Sequence, residues 1–275
     1  MSLQNSSIKR LNHNGSLSLT FNHRGNKTIM MNCYQTPPLR ASRAMYLNPA
    51  KPSEATVYMV ETSGGLLAGD QNQFQIDVQE GAHVCLIPQS ATKIYPSYNG
   101  IWSTQNIDVT IGTGASLAWK TEAVIPFESA KFSGKTVVHM AQDAALLWGE
   151  ILSPGRDKRG EQFQYHDVKT NFQVWMDEDC LIYDALLFSP DHMNLGQLGL
   201  LEEHLYIGSL WCVSPKLQQM DIRELNEKLQ RFEHIQASAA LLEGKAVNVR
   251  WLASDLVLLK QEMNNTWDEL ATYLA

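Results

Sequence analysis

This chain of 275 residues lacks the long apolar runs that membrane and exported proteins carry. No stretch approaches the roughly 18 apolar residues that a membrane-spanning helix needs. The polar N-terminal segment MSLQNSSIKRLNHNG has no apolar core of signal-peptide length. We therefore expect a cytoplasmic protein that makes no membrane contact.

Cysteine is scarce, and the four that occur are Cys33, Cys85, Cys180 and Cys212, with no CxxC pair among them. Cys85 and Cys180 fall within apolar, strand-forming runs, where a buried thiol behaves as a small hydrophobic side chain. The wide spacing gives no disulfide framework. We predict four structural thiols in a reducing compartment.

The common catalytic signatures are also missing. The chain contains no GxxxxGKS or GxxxxGKT phosphate loop, no HExxH and no GxSxG. Its eight histidines never occur at metal-ligand spacing. His139 and His166 lie in or beside strand-forming runs, and we expect them to be satisfied in place rather than to bind a metal.

Strong positive charge is absent as well. The chain has 22 Lys and Arg against 29 Asp and Glu, a formal charge of −7. Its densest basic cluster is Arg156, Lys158 and Arg159. This balance disfavours nucleic-acid binding as the main role.

What the chain does contain is a strand unit that recurs four times, at residues 74–88, 105–120, 135–150 and, more loosely, 171–186. Each unit is an alternating strand, a tight polar turn and a second apolar run. Ala82, Ala115 and Ala144 mark the first three turns, 33 and 29 residues apart, and Cys180 follows 36 residues later. Such a period predicts stacked β units, because one unit cannot bury its apolar face alone. We predict a mainly β, solenoid-like fold with about two α-helices near the C-terminus.

The flanking segments complete one predicted domain over residues 1–275. Residues 1–15 are expected to be flexible, 16–212 to form the β-repeat body, and 213–275 to form a helix-strand-strand-helix part. Within the body, 16–21 and 28–33 are predicted strand partners, and the proline-containing segment 123–132 is predicted to be an irregular edge.

In the C-terminal part, a helix is predicted over 221–233 and a strand pair over 237–242 and 246–252. Ser254 is the expected cap of a final helix. The apolar stripe of that helix is expected to pack on its own sheet. The stripe comprises Leu256, Leu259, Met263, Trp267, Leu270 and Leu274.

The densest glycine cluster, Gly64, Gly65, Gly69 and Asp70, follows a strand but precedes no helical pattern. That excludes a dinucleotide fingerprint and predicts a turn with positive φ, in which Asp70 makes a local bond. Residues 89–95 are expected to be a structural loop or a partner surface. Carboxylates also stand at strand ends. They are either solvated or line a polar channel for a cation, and the sequence leaves both interpretations open. These are Asp70, Glu122, Glu128, Glu150 and Glu161.

Three segments in order resemble the signatures of the urease accessory protein family UreD, also called UreH. They are GGLLAGD at 64–70, SATKIY at 90–95 and LLWGEILSPGRDKRGEQF at 146–163. The resemblance covers roughly residues 15–275. By this resemblance, twelve residues of the chain match positions in the family motifs. These are Gly64, Gly65, Gly69, Asp70, Thr92, Lys93, Tyr95, Glu150, Gly155, Arg156, Gly160 and Glu161.

The resemblance implies a non-catalytic scaffold that binds apo-urease, UreF and UreG and helps to deliver nickel to the urease active site. It implies that UreG is the GTPase, that no cofactor is tightly bound and that nickel passes only in transit. Our hypothesis is that Asp70, Glu122, Glu150 and Glu161 face a polar passage for that ion. Because stacked sheets expose edges, the isolated chain is also expected to self-associate.

Two alternatives remain at this stage. One is a carbohydrate-active enzyme on a β-solenoid, which would need clustered carboxylates on an exposed groove. The other is a structural interaction module without a metal path.

Overall fold

The computed structural model describes residues 14–229 and 235–274. Within them, the strands form two sheets that face each other, one of seven strands and one of ten. One apolar core fills the space between the sheets, with Leu17 and Ile107 from the first and Leu117 and Trp148 from the second. The predicted mainly β, solenoid-like architecture with two C-terminal helices is confirmed.

The first sheet has the spatial order β14-β13-β11-β8-β5-β1-β2. Its strands are β1 (Asn14–Arg24), β2 (Lys27–Thr36), β5 (Gln71–Val78), β8 (Ser103–Ile111), β11 (Lys131–Met140), β13 (Asp167–Met176) and β14 (Asp179–Phe188). The pairing of β1 with β2 is antiparallel, as the two N-terminal segments predict.

The second sheet has the order β16-β17-β15-β12-β9-β6-β4-β3, and the short strands β7 and β10 run beside it. Its strands are β3 (Leu39–Ala41), β4 (Ala55–Glu61), β6 (His83–Pro88), β7 (Thr92–Ile94), β9 (Ser116–Trp119), β10 (Ala123–Pro126), β12 (Ala145–Leu152), β15 (Tyr206–Val213), β16 (Ile235–Leu242) and β17 (Ala246–Ala253).

In each of the first three repeats, the turn forms the corner of one coil, and the three coils follow one another along the chain. The strand before each turn lies in the first sheet and the strand after it lies in the second. Ala82, Ala115 and Ala144 are buried at these corners. The corners stack directly, since Ser116 N donates to Ala82 O and Ala145 N donates to Ala115 O, both at 2.9 Å.

The fourth repeat differs from the other three in its pairing. β13 and β14 pair with each other, antiparallel and in one sheet, with Met176 opposite Asp179. Asp177 in the two-residue turn has φ 54°. A two-residue turn with positive φ folds the chain back onto the preceding strand, so this unit forms a hairpin instead of a corner.

The segment 123–132 is not an edge, and that prediction is wrong. β10 lies between β7 and β12 and runs parallel to both. Its proline, Pro126, is the last residue of the strand. The missing N–H of proline is tolerated at a strand end, where the ladder stops.

The C-terminal part follows the predicted order. Helix α1 (Ile222–Leu229) precedes the β16–β17 pair, and helix α2 (Leu256–Leu270) follows it. Residues 230–233 of the predicted first helix lie outside the described residues, as do residues 1–13 of the predicted flexible segment. Short 3₁₀ turns cover Asp157–Arg159, Pro215–Gln219 and Ala271–Leu274.

The cap of α2 is Asp255 rather than the predicted Ser254. The Asp255 carboxylate accepts from Val257 N at 2.8 Å, whereas Ser254 Oγ donates to Glu203 O at 3.2 Å. An ionised carboxylate is a stronger acceptor for the free N–H groups of a first turn, and it also complements the helix dipole.

The apolar stripe of α2 packs on its own sheet, as predicted. Leu259, Met263 and Trp267 are buried in a second core with Leu210 and Val249 of the outer sheet face. Gly208 on β15 makes room for the helix, because a Cβ there would lie 2.8 Å from Met263 Sδ and 2.9 Å from Leu259 Cδ1.

The four thiols are distributed differently from the prediction. Cys212 is buried and Cys85 is half-buried, but Cys33 and Cys180 are exposed. Cys180 is exposed because the fourth repeat is a hairpin, which leaves β14 at the sheet margin. None of the helices in the described part of the chain is long and apolar enough to cross a bilayer.

Candidate functional site

The first two family-like signatures form one backbone unit. Leu66 N donates to Lys93 O, and Tyr95 N donates to Leu66 O, both at 2.9 Å. Gly65 has φ +138° and lies against Lys93, where an added Cβ would approach Lys93 Cβ to 2.8 Å and the Lys93 carbonyl more closely still. Only glycine allows both this conformation and this contact.

Asp70 closes the turn of the first signature. Its Oδ2 accepts from Leu67 N at 2.9 Å, and its own carbonyl accepts from Thr104 N at 3.0 Å. Gly69 has φ +92° and Asp70 is buried. The predicted turn with positive φ and a local Asp70 bond is therefore confirmed.

The third signature meets the second around Phe127. The Arg156 guanidinium lies 4.3 Å from the centroid of the Phe127 ring, and the Tyr95 ring lies 5.0 Å from the same ring. Arg156 also forms a two-pronged ion pair with Glu161, with Nε donating to Oε2 at 2.6 Å and Nη2 donating to Oε1. This hydrogen-bonded pair lowers the pKa of Glu161 and raises the pKa of Arg156.

The second and third signatures line one surface groove of about 430 Å³, which we call the basic groove. Four cationic side chains and one acidic side chain line it, over a partly apolar floor. The lining residues are Lys93, Tyr95, Ile125, Phe127, Ser153, Gly155, Arg156, Asp157, Lys158, Arg159, Tyr206 and Leu256.

A second space lies between the two sheets, with a volume of about 130 Å³; we call it the inner cavity. Strand register explains why it exists. Across the first sheet, Gln105, Gly134 and Thr170 stand side by side, so small and polar residues replace the apolar rows beside them. In the second sheet, Glu150 stands opposite Ser209. Small and polar side chains fill less of the space between the sheets than the aromatic rows do.

An aromatic ladder forms the adjoining wall of the inner cavity. Trp119 and Trp148 stack with ring centroids 4.4 Å apart, Phe74 packs against Trp119, and Phe172 lies between Trp148 and Trp211. These rings keep one side of the cavity dry and fix the strands that carry its polar residues.

Four carboxylates line the inner cavity: Glu61, Glu122, Glu150 and Asp184. Each has a defined partner, and for Glu61 it is Ser63, whose Oγ donates to Glu61 Oε1 at 2.7 Å. Trp148 Nε1 donates to Glu150 Oε1 at 3.0 Å, Arg250 Nη2 pairs with Asp184 Oδ2, and Lys260 Nζ pairs with Glu122 Oε2 at 2.9 Å.

Burial governs the electrostatics of the inner cavity. It raises the pKa of Glu150, and nearby Asp184 adds to the rise, while the Trp148 hydrogen bond and Arg250 oppose it. Burial also raises the pKa of Glu61. A cation that entered would favour the charged form of both carboxylates.

The structure brings together two of the four carboxylates expected to face a passage. Glu122 and Glu150 line the inner cavity, whereas Asp70 lies in the first-signature turn and Glu161 beside the basic groove. Glu61, Asp184 and Arg250 were missed. The sequence signal for Asp184 is its place between Ile182 and Leu186, in an alternation that points inward.

The model of the UreD urease accessory protein family matches residues 13–275. The chain belongs to the UreD family.

Its relatives in this family cover nearly the whole chain. It is 67% identical over 256 residues to urease accessory protein UreD of Sporosarcina pasteurii, which spans 93% of this chain and 100% of that protein. It is 40% identical over 266 residues to the UreD of Lysinibacillus sphaericus, across 97% and 98% of the two chains. The UreD of Halalkalibacterium halodurans is 36% identical over 260 residues, 94% of each chain.

The metal-binding side chains in the described part of this UreD-family chain lie apart from one another. Within residues 14–229 and 235–274, no three His, Cys, Asp or Glu side chains are grouped so as to hold a metal ion. His166 instead pairs with Asp191 at 2.8 Å, and His139 is exposed.

Proposed function

We propose that this UreD-family chain is a maturation scaffold that binds apo-urease, UreF and UreG and passes nickel toward the urease active site through the inner cavity. The observation that carries the proposal is the set of four carboxylates in a space between the two sheets. Catalysis, including GTP hydrolysis, is assigned to the partner UreG. We place the assembly in the cytoplasm, where free thiols such as Cys33 and Cys180 stay reduced.

The chemistry of the inner cavity suits transit better than storage. Carboxylate oxygens are acceptable ligands for nickel, but a tight site would need several in fixed geometry. Here Arg250 forms an ion pair with Asp184, and Lys260 forms one with Glu122. A passing ion would exchange with these ammonium and guanidinium groups, and its retention would be weak.

Glu122 supplies the connection to the outside. Together with Pro88 and Ile151 it lines the inner cavity and also an outer groove of about 250 Å³ beside α2. The two spaces therefore share a wall formed by these three residues. The Glu122–Lys260 pair stands in that wall, with side chains 27% and 38% exposed.

The test is activation of apo-urease by nickel, UreF, UreG and GTP with this chain present, omitted or replaced by a Glu122→Gln/Glu150→Gln variant. Each lost carboxylate–cation contact is worth on the order of 1 kcal/mol, so the two losses together, about 2 kcal/mol, are expected to slow activation by the double variant roughly thirtyfold. Glu178→Gln, on the exposed β13–β14 turn, is the matched control.

Two results would contradict the proposal separately. Activation that does not depend on the chain would overturn the scaffold role. Wild-type activation by a double variant that still co-purifies with urease would overturn the passage and leave an interaction module. Neither outcome favours the carbohydrate-enzyme alternative, since Glu150 and Asp184 lie between the sheets rather than in an exposed sugar-binding groove.

A further inference from the structure

We infer that the basic groove docks an acidic peptide segment of a protein partner. The inference rests on the proposed scaffold function, which requires partner surfaces, and it adds the chemistry of one of them. The groove is distinct from the inner cavity, since the two share no lining residue.

The first argument is charge. In a chain with a formal charge of −7, Lys93, Arg156, Lys158 and Arg159 converge on one groove, with Asp157 as its single acidic lining residue. Local concentration of positive charge on an acidic protein selects for negatively charged partners and orients them.

The second argument is that three of these cations are available. Lys93 and Arg159 are exposed and form no ion pair within the described part of the chain. Lys158 is 87% exposed and reaches Asp157 only at 3.3 Å. Arg156 is already committed to Glu161 and Phe127, so it shapes the wall while Lys93, Lys158 and Arg159 form a free rim.

The third argument concerns what lies beneath that rim. Ile125, Phe127 and Leu256 give the groove an apolar floor, and Tyr95 adds a half-buried ring. A peptide can lay its backbone and aliphatic groups on such a floor while its carboxylates reach the rim. A single-stranded nucleic acid needs open aromatic faces for stacking, but Phe127 is 8% exposed and Arg156 covers its ring.

The fourth argument is rigidity. Lys93 lies in β7, which is bonded to the Leu66 backbone, and Gly155 approaches Glu161 O and Pro126 O so closely that a Cβ would lie 2.7 and 3.1 Å from them. Because several backbone contacts fix the walls of the groove, its residues lose little conformational entropy when a partner binds. The second and third family signatures, which are far apart in the sequence, thus form one docking site.

The experiment uses fluorescein-labelled hexaglutamate and the full chain, with binding followed by fluorescence polarisation. Lys158→Glu/Arg159→Glu reverses two rim charges. Lys169→Glu/Lys216→Glu makes the same change in net charge at two exposed positions elsewhere. Thermal melts establish that all three proteins are folded.

We expect wild-type protein to bind the probe, with affinity falling between 50 and 300 mM salt by roughly tenfold or more. The rim variant should bind at least about tenfold more weakly, and the control variant should stay within about twofold of wild type. Equal losses in both variants, or no binding by the folded wild type, would overturn the docking site. Displacement by an octathymidylate at lower concentration than unlabelled hexaglutamate would overturn the choice of a peptide.

The assay contains no urease, so its result is independent of the scaffold test. If co-purification with urease succeeds and hexaglutamate binding fails, the scaffold stands and the groove assignment falls. If hexaglutamate binds at the rim but urease activation does not need the chain, the groove stands and the proposed urease role falls.

Discussion

Gly65 is a position where even a methyl side chain would disturb both the fold and the candidate groove. Gly65→Ala would place a methyl group in a φ region, near +138°, that L-residues rarely adopt. The strain costs about 1–3 kcal/mol. The methyl group would also meet the Lys93 backbone, and the two hydrogen bonds that join Leu66 to β7 would weaken. Each is worth about 1 kcal/mol.

The sum predicts a loss of about 3–5 kcal/mol in the free energy of unfolding, a large share of the roughly 5–15 kcal/mol typical of a domain. Urea denaturation followed by tryptophan fluorescence measures it. The matched control is Gly100→Ala, which also has positive φ (+68°) but has nothing within 4 Å of the added Cβ. We expect the control to lose about 1 kcal/mol. Equal losses in the two variants would refute the contact argument and leave conformational strain alone.

Three further substitutions test other parts of the structure. Glu150→Gln keeps an acceptor for Trp148 Nε1 and removes a carboxyl whose folded pKa is raised; such a group loses its stabilising contribution as pH rises through the folded pKa. The variant should therefore be more stable than wild type at pH 8 in denaturation experiments, and the difference should close as the pH falls below the ordinary pKa of a glutamate; a pH-independent difference would contradict this. Asp255→Ala should lower stability by about 1 kcal/mol, measured by denaturation, whereas Ser254→Ala should cost less; the reverse order would restore serine as the cap. Trp119→Ala removes the ring between Phe74 and Trp148 and should cost about 3–5 kcal/mol in the same assay, so a loss under about 1 kcal/mol would mean that the ladder is not a rigid wall.

The inner cavity shows how far inference from sequence could reach. Alternation along β5, β8 and β11 identified which side chains face inward, and the repeat predicted that these strands stack. Glu122 and Glu150 were recognised as strand-end carboxylates. Their convergence with Asp184 and Arg250 was not predictable, because it depends on the hairpin register of β13–β14 and on the pairing of β17 with β15.

The basic groove shows the same division. Sequence singled out Lys93, Tyr95 and Arg156 through their motifs, and it noted the cluster Arg156, Lys158 and Arg159. That these belong to one surface depends on β10, which the sequence indicated as an irregular edge and which instead runs beside β7. The short parallel pairing of these two strands brings Lys93 and Phe127 together.

Local sequence patterns were enough to indicate the fold class and the positions of three turns, because period, alternation and small turn residues act over short stretches of chain, and the resemblance of three ordered motifs indicated the family. Such patterns report which face of a strand is apolar and where the chain turns. They do not report which strands become neighbours, since long-range pairing results from competition among many similar apolar edges. The folded chain was therefore needed to show that the fourth repeat is a hairpin, that Asp184 and Glu150 line the same space between the sheets, and that the second and third family signatures meet in one groove.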